Sequence, residues 1–163
     1  MIDGLRAAFP TQCAELDFES AGLKTLVRIW SPGSELATPI ALEANGVLAM
    51  LVYLCDIASG EPGGLVAIDE PENSLHPHAL RELIDSAQAW SEAHDVTIVL
   101  ATHSPVLLNA INNPERVWVM RNDAGDAPNP TRLDRLKNLD WLRQFTLGTL
   151  YANGQIGSND DAA

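Results

Sequence analysis

The fold is decided by one stretch of the chain, Leu65-Val66-Ala67-Ile68-Asp69-Glu70-Pro71. Four apolar residues precede two adjacent carboxylates, and residues typical of turns bound the run on both sides. A short continuous apolar run of this kind indicates a strand of a parallel sheet that is buried on both faces. Open α/β sheets bind ligands at the carboxyl ends of their strands, so the two carboxylates occupy the expected place of a functional site.

The two neighbouring carboxylates predict a particular chemistry. Their negative charges repel each other unless a cation or a reacting water lies beside them. Asp69 suits Mg²⁺ coordination, directly or through water, as in nucleotide sites. Glu70 suits the polarisation of a water that attacks phosphorus. The alternative is a solvated strand end that is acidic without a function.

The flanking sequence extends the pattern in both directions. A helix that is apolar on nearly every face is predicted at 44–58, and an amphipathic helix at 77–93 carries apolar residues at i, i+3, i+4 and i+7. A second buried strand is predicted at 96–101, and Ser104 and Pro105 then open a short helix that ends near Ile111. Further elements are a helix within 1–10, a half-buried strand at 23–30, and strands at 117–121 and 131–136. This alternation predicts an α/β fold with a parallel sheet and flanking helices.

One histidine lies where the second buried strand ends. Thr102-His103-Ser104-Pro105 closes the strand at 96–101, which places His103 at the same edge of the predicted sheet as Asp69 and Glu70. An imidazole there can donate a hydrogen bond to a terminal phosphate. A lone histidine is more often a structural residue, but its position one strand after an acidic pair favours a functional role.

These segments resemble a known family. The string IDEPENSLHP (68–77), followed by ATHSPVLLNAI (101–111), is similar to the Walker B and switch-histidine segments of ABC-type ATPases, in particular their RecF/OLD-like AAA-type branch. The segment at 44–48 lies where this branch has its signature motif, and LRQFTLGTLYANGQIG (142–157) resembles its closing segment. The fold implied is the Walker B-containing half of a P-loop NTPase sheet.

The resemblance implies catalytic roles. Asp69 would hold Mg²⁺, Glu70 would act on the attacking water, and His103 would contact the γ-phosphate of ATP. The implied activity is the hydrolysis of ATP to ADP and phosphate.

The resemblance also implies nucleotide-binding roles at a dimer interface. Gly46 would let the helix N-terminus approach the nucleotide of a partner. Ser74 and Leu75 would form the loop that reaches across the interface. The implied partner is a second copy of the chain or a subunit that carries a P-loop.

Two departures from the family pattern affect these implications. The signature serine corresponds to Ala44, which has no hydroxyl, and Asn45 is the neighbouring residue that could supply a donor. A P-loop requires Gly-Lys-Ser/Thr, whereas Lys24 and Lys137 are the only lysines and each follows a leucine. In the family the P-loop precedes the region that resembles this chain. We therefore expect a split subunit, a truncated reading frame or a decayed copy.

Composition limits the classes of protein further. The chain has 163 residues, 46% hydrophobic and 20% charged, with a formal net charge of −12. We expect one partial ATPase domain at 1–157 and a disordered tail at 158–163. Such acidity argues against general electrostatic binding of nucleic acid, which we expect only through a partner. Cys13 and Cys55 have no pairing motif, and the sequence shows neither a membrane span nor a secretory signal, so we expect a cytoplasmic protein.

Three functions stay open at this point. The first is ATP binding and hydrolysis with a P-loop from another chain or from an N-terminal half. The second is a non-catalytic interaction module or remnant of such an ATPase. The third is a stand-alone metallohydrolase that uses Asp69, Glu70 and His103. A transition-metal site at His76 and His78, with Glu72 nearby, is a weaker hypothesis, because His76-Pro77 belongs to the family pattern.

Overall fold

The structure is a computed structural model that describes residues 2–121 and 129–156. The chain divides into two compact units, and the boundary falls between Thr102 and His103. Each unit is described by itself. The single domain at 1–157 stays a prediction, and the predicted tail at 158–163 lies outside the described residues.

The first unit contains the alternating helices and strands that the sequence predicts. In chain order its elements are α1 (Ile2–Ala8), β1 (Glu15–Ala21), β2 (Lys24–Trp30), β3 (Thr38–Pro39), α2 (Asn45–Ser59), β4 (Leu65–Asp69), α3 (Pro77–His94) and β5 (Thr97–Ala101). Short 3₁₀ turns lie at Ile40–Leu42 and Pro71–Asn73. The bounds of α2, α3, β4 and β5 fall within one or two residues of the predicted ones.

A small parallel sheet lies at the centre of the predicted motif. β4 pairs with β5 in parallel register, with Leu65 opposite Thr97 and Asp69 opposite Ala101. Helix α2 contacts β4, and helix α3 contacts β5. The fold is therefore mixed α/β with a small parallel sheet, which agrees with the predicted α/β class.

The predicted burial of these strands is wrong for one face. Ile68 is only 4% exposed, whereas Leu65 is 65% exposed and Val99 is 46% exposed. Burial alternates along both strands, so one face lies toward the helices and the other is open. An apolar run alone cannot distinguish a strand covered on one face from a strand covered on both.

A second sheet in this unit is antiparallel. β1 and β2 form a hairpin in which Glu15 lies opposite Trp30, and β3 pairs with β2. Gly22 has a φ of 65° in the tight turn, a left-handed conformation that glycine adopts without strain. The sequence predicted β2 but missed β1.

The core of the first unit lies where its three helices meet. α1 packs against α2 and α3, and α2 packs against α3. The α3 side chains predicted to be buried are buried: Leu80, Leu83, Ile84 and Ala87. Cys13 is also buried, and this burial raises the pKa of its thiol while the nearby charge of Arg6 opposes the change.

The second unit has shorter elements and a core of its own. In chain order they are α4 (Pro105–Ile111), β6 (Trp118–Arg121), β7 (Asn129–Arg132), α5 (Leu133–Leu136), α6 (Leu139–Leu142) and α7 (Leu147–Ala152). Ser104 Oγ accepts a hydrogen bond from Leu107 N at 3.4 Å, which confirms the predicted helix cap. Six buried side chains form one apolar cluster: Leu108, Leu133, Leu142, Leu147, Leu150 and Ile156.

Two predictions for this unit need correction. The strand predicted at 117–121 is present as β6, but it pairs with β7 in antiparallel register, with Trp118 opposite Arg132. The strand predicted at 131–136 ends at Arg132, and α5 follows directly. Lys137 N donates to Leu133 O at 3.1 Å, which closes a helical turn, and Leu133 is buried in the cluster.

A close approach of α4 and α7 depends on a glycine. Gly148 N donates a hydrogen bond to Asn109 Oδ1 at 2.8 Å, and a Cβ at Gly148 would overlap the carbonyl oxygen of Pro105. Only glycine fits this contact without movement of α4.

Within the described residues, none of the helices has the length and apolar character needed to cross a membrane.

Candidate functional site

Asp69 and Glu70 lie at the carboxyl end of β4. Asp69 is exposed and forms the last pair of the parallel ladder, opposite Ala101. Glu70 N donates a hydrogen bond to Ala101 O at 2.9 Å, so β5 holds the backbone where the strand ends. This is the edge of the sheet at which the sequence predicts a site.

The backbone of Glu70 is left-handed. Its φ is 44° and its ψ is 56°, a conformation that costs a residue with a side chain about 1–2 kcal/mol. The turn Pro71–Asn73 follows at once, and Pro71 is buried. Local strain of this kind persists where surrounding contacts fix the backbone, and it is frequent at functional sites.

Two side-chain hydrogen bonds fix the turn after Glu70. Asn73 Nδ2 donates to Glu70 Oε2 at 2.7 Å, and Thr102 Oγ1 donates to Glu72 Oε1 at 2.7 Å. The second bond joins the turn to the residue that follows β5. Neither Asn73 nor Thr102 is assigned a role by the sequence pattern. The first bond could have been predicted from the sequence, because Glu70 and Asn73 are three residues apart, which is one turn of a 3₁₀ helix.

The segment that resembles the signature motif forms the start of α2. Ala44 is the residue that caps the helix, and its carbonyl oxygen accepts from Val47 N at 2.9 Å without a side-chain cap. Ala44 and Asn45 are both exposed. A Cβ at Gly46 would lie 3.3 Å from the carbonyl oxygen of Ser74. The structure thus brings two predicted binding residues, Gly46 and Ser74, into contact within the first unit.

His103 belongs to the second unit. Its side chain is exposed, and Nδ1 lies 3.1 Å from the hydroxyl oxygen of Tyr151 on α7. Tyr151 is a residue that sequence reasoning did not single out, although it lies in the segment that resembles the family's closing segment. Because the two carboxylates lie in the first unit, a joint site of Asp69, Glu70 and His103 stays a prediction.

The residues at the end of β4 fit a magnesium ion better than a transition metal. Mg²⁺ is commonly held by one or two carboxylates together with water and substrate phosphates, which suits the exposed carboxylate of Asp69 beside Glu70. Within residues 2–121 and 129–156, no group of three or more His, Cys, Asp and Glu side chains could hold a metal by itself.

The two histidines at the start of α3 have local partners. His76 Nδ1 lies 3.4 Å from His78 N, and His78 Nε2 lies 3.0 Å from the carbonyl oxygen of Ala7. These contacts tie the first turn of α3 to itself and to α1. The structure gives both rings a role in helix packing.

Comparison with known proteins gives one family match. The sequence profile of the family described as "AAA domain, putative AbiEii toxin, Type IV TA system" matches residues 14–109, more than half of the chain. The matched range contains Asp69, Glu70 and His103.

Two curated proteins are similar over a comparable range. The Old nuclease of Escherichia phage P2 is 28% identical over 97 residues, which cover 56% of this chain and 16% of that protein. The OLD nuclease of Thermus scotoductus is 30% identical over 95 residues, which cover 58% of this chain and 17% of that protein. The chain spans about one sixth of the length of these relatives.

A solved structure shares the fold. It comes from work on the ATP-driven dimerization and DNA-stimulated activation of SMC ATPases. Its TM-score to this chain is 0.56 at 15% sequence identity, and the alignment covers 86% of this chain and 87% of that chain. Together with the family match, this likeness confirms the resemblance to a fragment of an ABC-like ATPase.

Proposed function

The chain belongs to this AAA domain family, and from that premise we propose that it binds ATP and hydrolyses it to ADP and phosphate as a RecF/OLD-like ABC-type ATPase. The P-loop would come from another chain or from a segment outside residues 1–163. The observation that carries the proposal is the pair of carboxylates at the carboxyl end of β4, of which Glu70 is held in a strained conformation by the end of β5. Backbone strain of this kind clusters at functional sites, which supports a function for this strand end.

Asp69 and Glu70 have different roles in the proposed reaction. Asp69 would hold Mg²⁺, which when bound neutralises charge on the phosphates. Glu70 would accept a hydrogen bond from the attacking water and orient it toward the γ-phosphorus. Phosphoryl transfer depends mainly on positioning and electrostatic stabilisation, so an oriented carboxylate contributes without a covalent step.

His103 would donate a hydrogen bond to the γ-phosphate. Its contact with Tyr151 supports this role, because a partner on Nδ1 limits rotation of the ring and so fixes the direction in which Nε2 points. The tautomer with the proton on Nε2 is the one that would donate to phosphate.

The start of α2 would contribute to nucleotide binding across a dimer. Helix N-termini bind anions through unsatisfied N–H groups, and the exposed Asn45 could add a side-chain donor. Gly46 and Ser74 lie side by side, so both would meet the nucleotide of a partner together. Ala44 lacks the hydroxyl of the family's signature serine, and we expect weaker activation across the interface than in a protein with serine there.

The open face of the parallel sheet supports the need for a partner. Parallel strands are nearly always covered on both faces, yet Leu65 and Val99 are exposed. A P-loop-bearing polypeptide or a second copy of the chain would cover them. We also propose a cytoplasmic location, in agreement with two cysteines that form no disulfide.

The second candidate is a non-catalytic interaction module of the same family. One feature of the sequence favours it: alanine stands at position 44, where the family's signature motif has serine. In this case the chain would associate with a relative but would not contribute to turnover.

Three substitutions test the proposed reaction in the protein supplied with a P-loop, either as a separate chain or by fusion before Met1. Glu70→Gln should lower the steady-state ATPase rate roughly 10²-fold or more while ATP still binds, because the charge that polarises the water is lost. Asp69→Asn should weaken Mg²⁺-dependent ATP binding. His103→Ala should retain the metal dependence but lose the γ-phosphate contact.

The matched control is Glu61→Gln, the same change in the loop before β4, at the opposite end of the strand from Glu70. It should leave the rate unchanged. A Glu70→Gln protein that hydrolyses ATP at the unmodified rate, while Asp69→Asn does not, would show that Glu70 has another role. Absence of turnover with every source of P-loop would favour the interaction module.

A further inference from the structure

We propose that Asn73 is a positioning residue for the hydrolysis reaction and acts by holding the carboxylate of Glu70. This inference rests on the proposed function, because it assigns Glu70 to the attacking water. Its basis is the hydrogen bond from Asn73 Nδ2 to Glu70 Oε2 at 2.7 Å. A bond of this length between an amide donor and an ionised carboxylate is a charge-assisted one.

The hydrogen bond from Asn73 restricts a flexible side chain. A glutamate has three rotatable side-chain bonds, and Glu70 lies at an edge of the sheet where its side chain is only half-buried. The hydrogen bond from Asn73 limits the rotamers that the carboxylate can occupy, and few rotamers orient a water. The amide of Asn73 is a neutral donor that holds one oxygen of the carboxylate, and a carboxylate has a second oxygen that can accept from a water.

Asn73 itself is held by the turn that contains it. Asn73 N donates to Glu70 O at 3.1 Å, and Ser74 N donates to Pro71 O at 3.2 Å. The bond from Thr102 to Glu72 anchors the middle of the turn to the end of β5. The turn and the neighbouring strand therefore fix the backbone of Asn73, which carries the amide donor.

The competing explanation is that Asn73 only stabilises the turn. In that case its loss would lower the folding stability, and any effect on the rate would not depend on the residue at position 70. A positioning role predicts instead that the effect of Asn73 requires the Glu70 carboxylate. A double-mutant cycle distinguishes the two explanations.

The experiment measures kcat and KM for ATP in the protein supplied with a P-loop. Asn73→Ala should lower kcat roughly 10-fold with little change in KM, because only the orientation of Glu70 is lost. In the Glu70→Gln background the same substitution should change kcat by less than about twofold. Asn73→Asp has the same shape and places a negative charge against Glu70, so its kcat should be at least as low as that of Asn73→Ala.

A control substitution and an independent measurement complete the test. Asn113→Ala removes an asparagine that caps another 3₁₀ turn, where Oδ1 accepts from Glu115 N at 3.0 Å, and it should leave kcat unchanged. In NMR spectra of the chain 1–163, the side-chain amide protons of Asn73 should move upfield in Glu70→Ala, as expected for a lost hydrogen bond. This measurement requires no turnover.

The outcomes separate the inference from the function on which it rests. A wild-type protein with no turnover would overturn the proposed function and this role together. Turnover in the wild type, with Asn73→Ala and Asn73→Asp both within about twofold of it, would overturn the role of Asn73 alone. An equal loss from Asn73→Ala in the wild-type and Glu70→Gln backgrounds would also overturn it, in favour of a structural role.

Discussion

The two units of the chain differ in charge and in the way their sheets are covered. Residues 1–102 contain 15 acidic and 4 basic residues, whereas residues 103–163 contain 7 acidic and 6 basic ones. The first unit has a parallel pair of strands with an open face, and the second has an antiparallel pair beside a closed cluster of leucines. Almost the whole net negative charge of the chain, −11 of −12, therefore belongs to the unit that carries Asp69 and Glu70.

A pair of glycines shows the same contrast in detail. Gly46 and Gly148 are each the second residue of a helix. A Cβ at Gly46 would lie 3.3 Å from a carbonyl oxygen, which is a tight contact, whereas a Cβ at Gly148 would overlap one. The first unit leaves some space around its candidate binding residue, and the second unit is packed to the limit at the corresponding position. The space around a glycine near a helix start thus differs between these two positions.

The largest expected effect tests this contrast. Glycine to alanine within a helix ordinarily stabilises it by about 1 kcal/mol. Gly148→Ala should instead lower the free energy of unfolding by about 3 kcal/mol, because α7 and α4 must separate. Urea denaturation measures the change. Gly46→Ala is the matched substitution and should stay within about 1 kcal/mol of the wild type. An equal loss of unfolding free energy in the two variants would show that the two glycines are packed equally tightly.

The next effect concerns the open sheet face. Leu65 and Val99 should drive self-association of the chain, because a parallel sheet rarely leaves one face in water. Replacing both with lysine should weaken association roughly 10-fold or more, by loss of apolar contact and by charge repulsion, as measured by sedimentation velocity.

The second unit offers the control for this experiment. Trp118 and Met120 are 58% and 63% exposed on a strand of the antiparallel pair, where one solvated face is common. Their replacement by lysine should change association less. A chain that is monomeric at high concentration before any substitution would contradict the need for a covering partner.

The sequence predicted the elements whose pattern is local. β4, α3, β5 and α4 follow from apolar runs, helical periodicity and the cap at Ser104, all within a few residues of one another. It missed β1, although Glu15-Leu16-Asp17-Phe18-Glu19 alternates polar and apolar residues as a half-buried strand does. It also could not determine whether β6 joins the parallel sheet, since strand pairing depends on residues distant in the sequence.

The site shows the same division. The carboxylates and His103 were predicted because their residue types follow apolar strands. The left-handed backbone of Glu70 and the bond from Asn73 were not, because they arise from a turn whose conformation depends on Ala101 and Thr102, about 30 residues further along the chain. The roles of these residues remain proposals.

The smallest expected effect depends on pH and lies in the second unit. Arg132 donates two hydrogen bonds to Asp134, at 2.7 and 2.6 Å, and these bonds hold the pKa of that carboxyl below its ordinary value of 3.8. A pKa that is lower in the folded state stabilises the protein above the unfolded value, and this contribution is lost as the pH falls through the folded one.

Substitution of this carboxylate measures the contribution. Asp134→Asn should lower the free energy of unfolding slightly at about pH 7, and the difference from wild type should disappear at a pH below the folded pKa, which is lower than the ordinary value of 3.8. Urea denaturation at the two pH values checks this, with Asp140→Asn as an exposed control in the same unit. A difference that stays constant between the two pH values would show that the charge of Asp134 is not its cause.

The left-handed backbone at position 70 has a consequence for protein engineering. Glycine and asparagine are the residues that adopt this conformation most easily, and neither has a carboxylate. Substitutions chosen for local stability would therefore select against the group that the proposed reaction needs. Directed evolution for heat resistance alone would be expected to drift toward an inactive chain at this position, whereas a screen that retains ATP turnover would keep glutamate and its strain.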